Sequence, residues 1–182
     1  LKMIKTLLVI AALFFVGCSS DETNVPVVPK LVVGKSLADL KLNDQFEKAH
    51  TLNEDTYRVI FALGKESGHI CNDFFVTQEP TYLAEHNTQF VADISSAPSV
   101  IRSLFIMPGL KDFKHTVLLL DNKAIAAPYR EGMDVEKIVV VYILNKEISE
   151  IKTISTTEEL KATIEKKSVM SVIAPVINSV LN

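Results

Sequence analysis

Residues 57–75 read YRVIFALGKESGHICNDFF, and the rest of the chain is organised around them. The run Val59-Ile60-Phe61-Ala62-Leu63 is apolar, short and rich in residues that favour strands. That length and composition suit a central strand covered on both faces. A polar stretch with Gly64 and Gly68 follows, then His69, Cys71 and a new apolar segment. The pattern predicts strand, loop, then helix, with Cys71 at or near the helix start. In an open α/β sheet such a junction is the usual place for a ligand or a reactive group.

Working outward, the 182 residues suffice for one domain with a sizeable core. An apolar share of 48% and a charged share of 23% are ordinary for a globular protein. A net charge of −3 with scattered lysines and arginines gives no electrostatic case for nucleic acid. There is no Gly-rich phosphate loop and no dinucleotide fingerprint, so no nucleotide, nicotinamide or flavin cofactor is expected. Serines 36, 67 and 99 have no base and orienting group at motif spacing, which leaves serine hydrolysis unsupported.

The N-terminus reads as a targeting segment. Lys2 and Lys5 precede an apolar stretch, Thr6–Val16, that is too short to span a bilayer comfortably. It closes on Phe15-Val16-Gly17-Cys18, then Ser19-Ser20-Asp21-Glu22. This resembles a bacterial lipoprotein signal, with Phe15 where leucine is usual. The resemblance implies a signal peptide over 1–17 and a lipidated Cys18. Acyl chains on Cys18 would hold the protein to a membrane. Ser19 after the cysteine resembles signals routed to the outer membrane, facing the periplasm. A plain cleaved signal or an uncleaved anchor are the alternatives. Residues 18–30 read as the lipidated cysteine and a polar tether containing Pro26 and Pro29. Cys71 is then the only remaining thiol and cannot close a disulfide within the chain.

Further along, Leu37, Leu40, Leu42 and the segment 49–52 suggest a hairpin about Asn43-Asp44-Gln45. Pro80 predicts a kink, or two short helices at 71–78 and 80–86. Residues 88–94 alternate as a strand ending at Asp93, which suits a turn-capping role. Pro98 opens a helix with Val100, Ile101, Leu104, Phe105 and Met107 as its apolar face, stopped by Pro108-Gly109. Strands are expected at 114–120 and, weakly, at 124–127. Residues 138–144 and 147–154 suggest a hairpin about Asn145-Lys146. Ser155 and Glu158 read as a capping box for a helix over 156–167, with Leu160 and Ile164 on its inner face. The apolar tail 168–182, broken by Pro175, is expected to pack on the domain or on a partner.

Residues 33–45, 59–63, 91–95 and 98–101 together resemble the thioredoxin-like superfamily, in its peroxiredoxin and thiol–disulfide lipoprotein branch. The resemblance covers 31–167. It implies an α/β fold, a three-layer α/β/α sandwich with an N-terminal β-hairpin and an extra C-terminal segment. The chain departs from the family's chemistry. Thioredoxins carry Cys-x-x-Cys after the first core strand, whereas Ser67-Gly68-His69-Ile70-Cys71 has one cysteine. A dithiol cycle within the chain is therefore not possible. Peroxiredoxins place a lone cysteine at about the distance of Cys71 from Phe61, but with proline, threonine and proline around it. Gly64, Gly68 and Asn72 stand there instead. The family's cis-proline before the strand facing the site matches Lys114-His115-Thr116, with no proline.

These readings lead to a thioredoxin-like envelope lipoprotein without dithiol chemistry, acting as a binding or accessory module with an envelope protein partner. The alternative is a single-cysteine thiol peroxidase or redox partner in which a helix-start Cys71 ionises readily. A lesser alternative is copper or zinc held by His69, Cys71 and His115, a thiolate and two imidazoles. Arg102 and Arg130 are candidates for steadying an anion near the sheet end, with Arg130 in a loop. His50 and His86 read as surface residues.

Overall fold

The computed structural model describes residues 26–166. The expected signal peptide, Cys18, most of the tether, Lys167 and the tail 168–182 lie outside the described residues. A two-stranded hairpin, β1 (Lys41–Asn43) and β2 (Ala49–Thr51), precedes the main sheet. The main sheet holds β3 (Arg58–Ala62), β4 (Thr88–Asp93), β5 (Leu118–Leu120), β6 (Ile138–Leu144) and β7 (Glu147–Ile154) in the order β5-β4-β3-β6-β7. β3 is the central strand. It runs parallel to β4 and antiparallel to β6, and all five of its residues are buried.

Strand alternation divides the core in two. Val59 and Phe61, with Val139 and Val141 of β6, face Leu37, Leu40, Leu42 and Tyr129. Ile60 and Ala62, with Val140 and Tyr142, face Cys71, Phe75, Leu160 and Ile164. Side chains of period two on a doubly covered strand give this arrangement directly. Helices α1 (Lys65–Phe75), α2 (Tyr82–Glu85) and α6 (Thr157–Glu165) cover the second face, and α5 (Lys123–Arg130) lies with the hairpin on the first. The fold is the expected α/β/α sandwich with an N-terminal β-hairpin.

Several boundaries differ from the sequence reading. α1 begins at Lys65, so Cys71 is well inside the helix and not at its start. The polar stretch read as a loop is the first two turns, whose outward residues Lys65, Glu66 and His69 are solvated. Pro80 does separate two helices, as its missing N–H requires. Residues 124–127 form part of α5 rather than a strand. Asn122 caps that helix by accepting the Ala124 N–H at 2.8 Å, and the alanines favour it. The cap of α6 is Thr156 with Glu159, one residue beyond the expected Ser155 and Glu158. Leu160 and Ile164 are fully buried as expected.

Pro108-Gly109 does not stop the helix that Pro98 opens. α3 (Ser99–Ile101) continues through a π-helical segment, Arg102–Ile106, into α4 (Met107–Asp112). Pro108 lies at the second residue of α4, just after the wide turn, where a missing N–H is tolerated. The wide turn also rotates the register. Ile106, Met107 and Leu110 pack against the core, while Val100, Leu104 and Phe105 are turned outward.

Candidate functional site

The parallel strands β3 and β4 end side by side, and the groups beyond them converge. Arg130, the last residue of α5 rather than a loop residue, donates from Nη1 to the Leu63 carbonyl at 2.8 Å and to Asp93 Oδ2 at 2.7 Å. The same nitrogen is 3.3 Å from Ser96 Oγ. The Asp93 side chain is fully buried, whereas that of Arg130 is one third exposed. The other Asp93 oxygen accepts the Ser95 N–H at 2.8 Å, which is the expected turn-capping role. An open cleft of about 520 Å³ adjoins this group, lined by Ser95, Ser96, Lys123, Arg130, Glu131 and Val135 among others. Its hydroxyls and Lys123 offer donors to a ligand, while Asp93 offsets the charge of Arg130 and Glu131 lies in the same lining, so the cleft carries no excess positive charge.

The start of α1 closes the next side. Gly64 caps the helix in an extended conformation, and a Cβ there would lie 2.5 Å from the Val135 carbonyl oxygen. Glycine is therefore required by close approach, not by its φ. Ser67, fully buried, accepts the Gly64 N–H at 3.0 Å and donates to the Val135 carbonyl at 2.9 Å. The first turn of α1 carries Lys65, Glu66, Ser67 and Gly68, so no thiol lies at the helix start. The segment that faces this turn is Val135-Glu136-Lys137, leading into β6. It corrects the assignment of Lys114-His115-Thr116 to that place, because those residues lead into the edge strand β5 at the opposite end of the sheet.

The sequence candidates are not brought together. Cys71 is fully buried, on the inner face of α1 beside Phe74 and Phe75. Burial pushes its thiol well above the ordinary value, the reverse of the readily ionised thiol expected at a helix start. His69 is two residues earlier on the exposed side, as helical spacing dictates. His115 is buried at the far end of α1, with its Nε2 2.8 Å from the Phe75 carbonyl and its ring between Phe75 and Phe113. Among the described residues no group of three or more His, Cys, Asp or Glu side chains is disposed to hold a metal. The trio His69, Cys71 and His115 is thus dispersed over an outer face, an inner face and the opposite end.

Other expectations also shift. Arg102 does not reach the cleft; it donates to the Asp121 carbonyl. His50 is half-buried and bonded through Nε2 to Asp44 at 2.7 Å, and His86 reaches the Tyr82 carbonyl through Nδ1 at 2.8 Å. Asp44 is held below the usual carboxylate range: burial pushes it up, but His50 and the N–H groups of Phe46 and Lys48 outweigh that. The sequence reading named Asp93 and Arg130 separately and missed their pairing. It also missed Ser67 as a helix-start clamp, although a serine three residues after a glycine was the available signal.

No family model matches the chain, and no curated protein matches it. Solved structures do. A hypothetical protein from Sinorhizobium meliloti 1021 is 13% identical, with 76% of this chain and 87% of that one covered and a TM-score of 0.51. The thioredoxin domain of a thiol-disulfide oxidoreductase from Bacteroides vulgatus is 10% identical, covering 74% and 99%, with a TM-score of 0.47. The peroxidoxin BcpB from Mycobacterium tuberculosis is 16% identical, covering 72% and 93%, with a TM-score of 0.45. The first of these, at 13% identity, is a likeness of fold alone.

Proposed function

We propose that this chain is a thioredoxin-like binding or accessory module, lipid-anchored through Cys18 in the bacterial cell envelope on the periplasmic side of the outer membrane. It works at the carboxyl end of its sheet and carries out no thiol chemistry there. The observation that carries this reading is the location of Cys71. It is fully buried on the core face of α1, with its thiol pushed up, while Ser67 occupies the inner side of the first turn. A nucleophilic thiol needs exposure and a stabilised thiolate, and Cys71 has neither. The cleft beside Arg130 is the binding surface of this reading, and its hydroxyls and Lys123 offer donors to a polar group of an envelope protein partner or small molecule.

The test is the rate at which Cys71 reacts with a thiol-specific alkylating reagent across pH 4–10 in the folded protein. The module reading expects labelling only when the chain unfolds, and no peroxide turnover above that of Cys71→Ala. Fast labelling with a midpoint below the free-thiol value of about 8.5 would return the chain to peroxidase chemistry.

A further inference from the structure

From the exposed apolar corner at the carboxyl end of the sheet we infer that the folded domain docks on a phospholipid surface through Val100, Ile101, Leu104 and Phe105. The inference rests on the lipid-anchor reading above and adds a second, non-covalent membrane contact to it. These four side chains are between 42% and 67% exposed and fall within six consecutive residues of one helical segment. Such a concentration of large apolar groups marks an interaction surface rather than ordinary scatter. Residues 99–110 contain one charge, Arg102, and no acidic residue. An exposed apolar helical face without acidic residues of its own suits a segment that lies in a membrane interface.

The route of the chain selects lipid over other occupants. Lys30 N–H donates to the Pro128 carbonyl at 2.8 Å, two residues from Arg130 at the ends of β3 and β4. The N-terminal segment therefore leaves the domain from the carboxyl end of the sheet. α3 begins at that same end, where Ile94 N–H meets the Leu120 carbonyl and Arg102 meets the Asp121 carbonyl. Only residues 19–25 separate Cys18 from Pro26, a reach of about 25 Å when extended. A lipid on Cys18 thus keeps this end, and this apolar corner, within a short distance of the bilayer. Lys166, the last described residue, lies at the opposite end of the domain, where its carbonyl is 3.4 Å from Arg58 Nη2.

The test uses the full lipidated protein in phosphatidylethanolamine and phosphatidylglycerol vesicles containing brominated lipid. A bimane label is placed at Phe105→Cys, and separately at Leu144→Cys, an exposed site at the far end of β6. Cys71 is buried and Cys18 acylated, so neither competes for the label. The expected result is several-fold stronger quenching at 105 than at 144, reduced by the added change Leu104→Ser. Flotation with the vesicles but equal quenching at both sites overturns the docking while leaving the anchor intact. Failure to float overturns the anchor and the docking with it. A label at 105 that is unquenched until residues 168–182 are removed, or that cross-links to a second copy, overturns lipid as the occupant.

Discussion

Ser67 Oγ donates to the Val135 carbonyl at 2.9 Å and so ties the first turn of α1 to the segment that leads into β6. The same oxygen accepts the Gly64 N–H at 3.0 Å. One hydroxyl therefore satisfies a helix-start donor and a loop carbonyl in a fully buried setting.

Replacing Ser67 by alanine orphans both groups. The expected loss is about 1–3 kcal/mol of folding stability, read from the urea midpoint. Gly64→Ala acts on the same contact from the other side, forcing apart two backbone segments that its Cβ would bring to 2.5 Å. It should cost about as much, roughly 1–3 kcal/mol. A loss below a few tenths for either variant would mean that the clamp is not formed in solution.

Cys71 gives a pH prediction. Its thiol is raised in the folded state by burial, so the folded chain keeps a proton that the unfolded chain releases above about pH 8.5. Stability is then fully present below the unfolded value and falls as pH rises past it, by up to about 1.4 kcal/mol per pH unit from this group. Cys71→Ala should flatten that alkaline limb while lowering stability at neutral pH through the small cavity it leaves. Parallel limbs for the two proteins in denaturation curves from pH 7 to 10 would contradict the burial.

The contrast between what the sequence disclosed and what it hid follows the range of the interactions. β3 was legible because five consecutive apolar residues bounded by Gly64 admit few other readings. The β6–β7 hairpin was legible because Asn145 readily takes the positive φ, 53°, that a tight turn demands. The start of α1 was not, because it depends on a bond between Ser67 and Val135, far apart in the chain, while Gly68 weakens the local helical signal. Asp93 and Arg130 are likewise far apart, so one read as a turn cap and the other as a loop cation until the sheet ends were aligned. The outward face of α3 was hidden for a different reason: a π turn changes the register that periodicity assumes to be constant.

The Asp93–Arg130 pair should be strongly coupled. Arg130→Met leaves the Asp93 carboxylate buried and without its cation, whereas Asp93→Asn keeps an oxygen for the Ser95 N–H. Because Arg130 is partly solvated, the expected cost of its loss is about 2 kcal/mol, below that of a fully buried pair. The double variant should recover part of it, with a coupling of about 1 kcal/mol in a double-mutant cycle. Strict additivity of the two single changes would show that the pair is a surface contact without energetic weight.

Arg58 makes a sharper demand. It is 2% exposed, and among the described residues it pairs with no carboxylate. Its guanidinium lies 5.4 and 5.6 Å from the rings of Tyr57 and Tyr142. Nη1 donates to Thr88 Oγ1 and the Ile164 carbonyl, each at 3.1 Å, and Nη2 to the Lys166 carbonyl at 3.4 Å. Carbonyls at the end of α6 have no partner within the helix, so a planar fork set beneath them takes the place of a C-cap. Arg58→Lys keeps the charge but cannot span both carbonyls while lying against two rings. It should cost about 1–3 kcal/mol and speed amide exchange in the last turn of α6, with α1 unchanged. Equal exchange in wild type and Arg58→Lys across residues 160–166 would rule out Arg58 as the group that ends this helix.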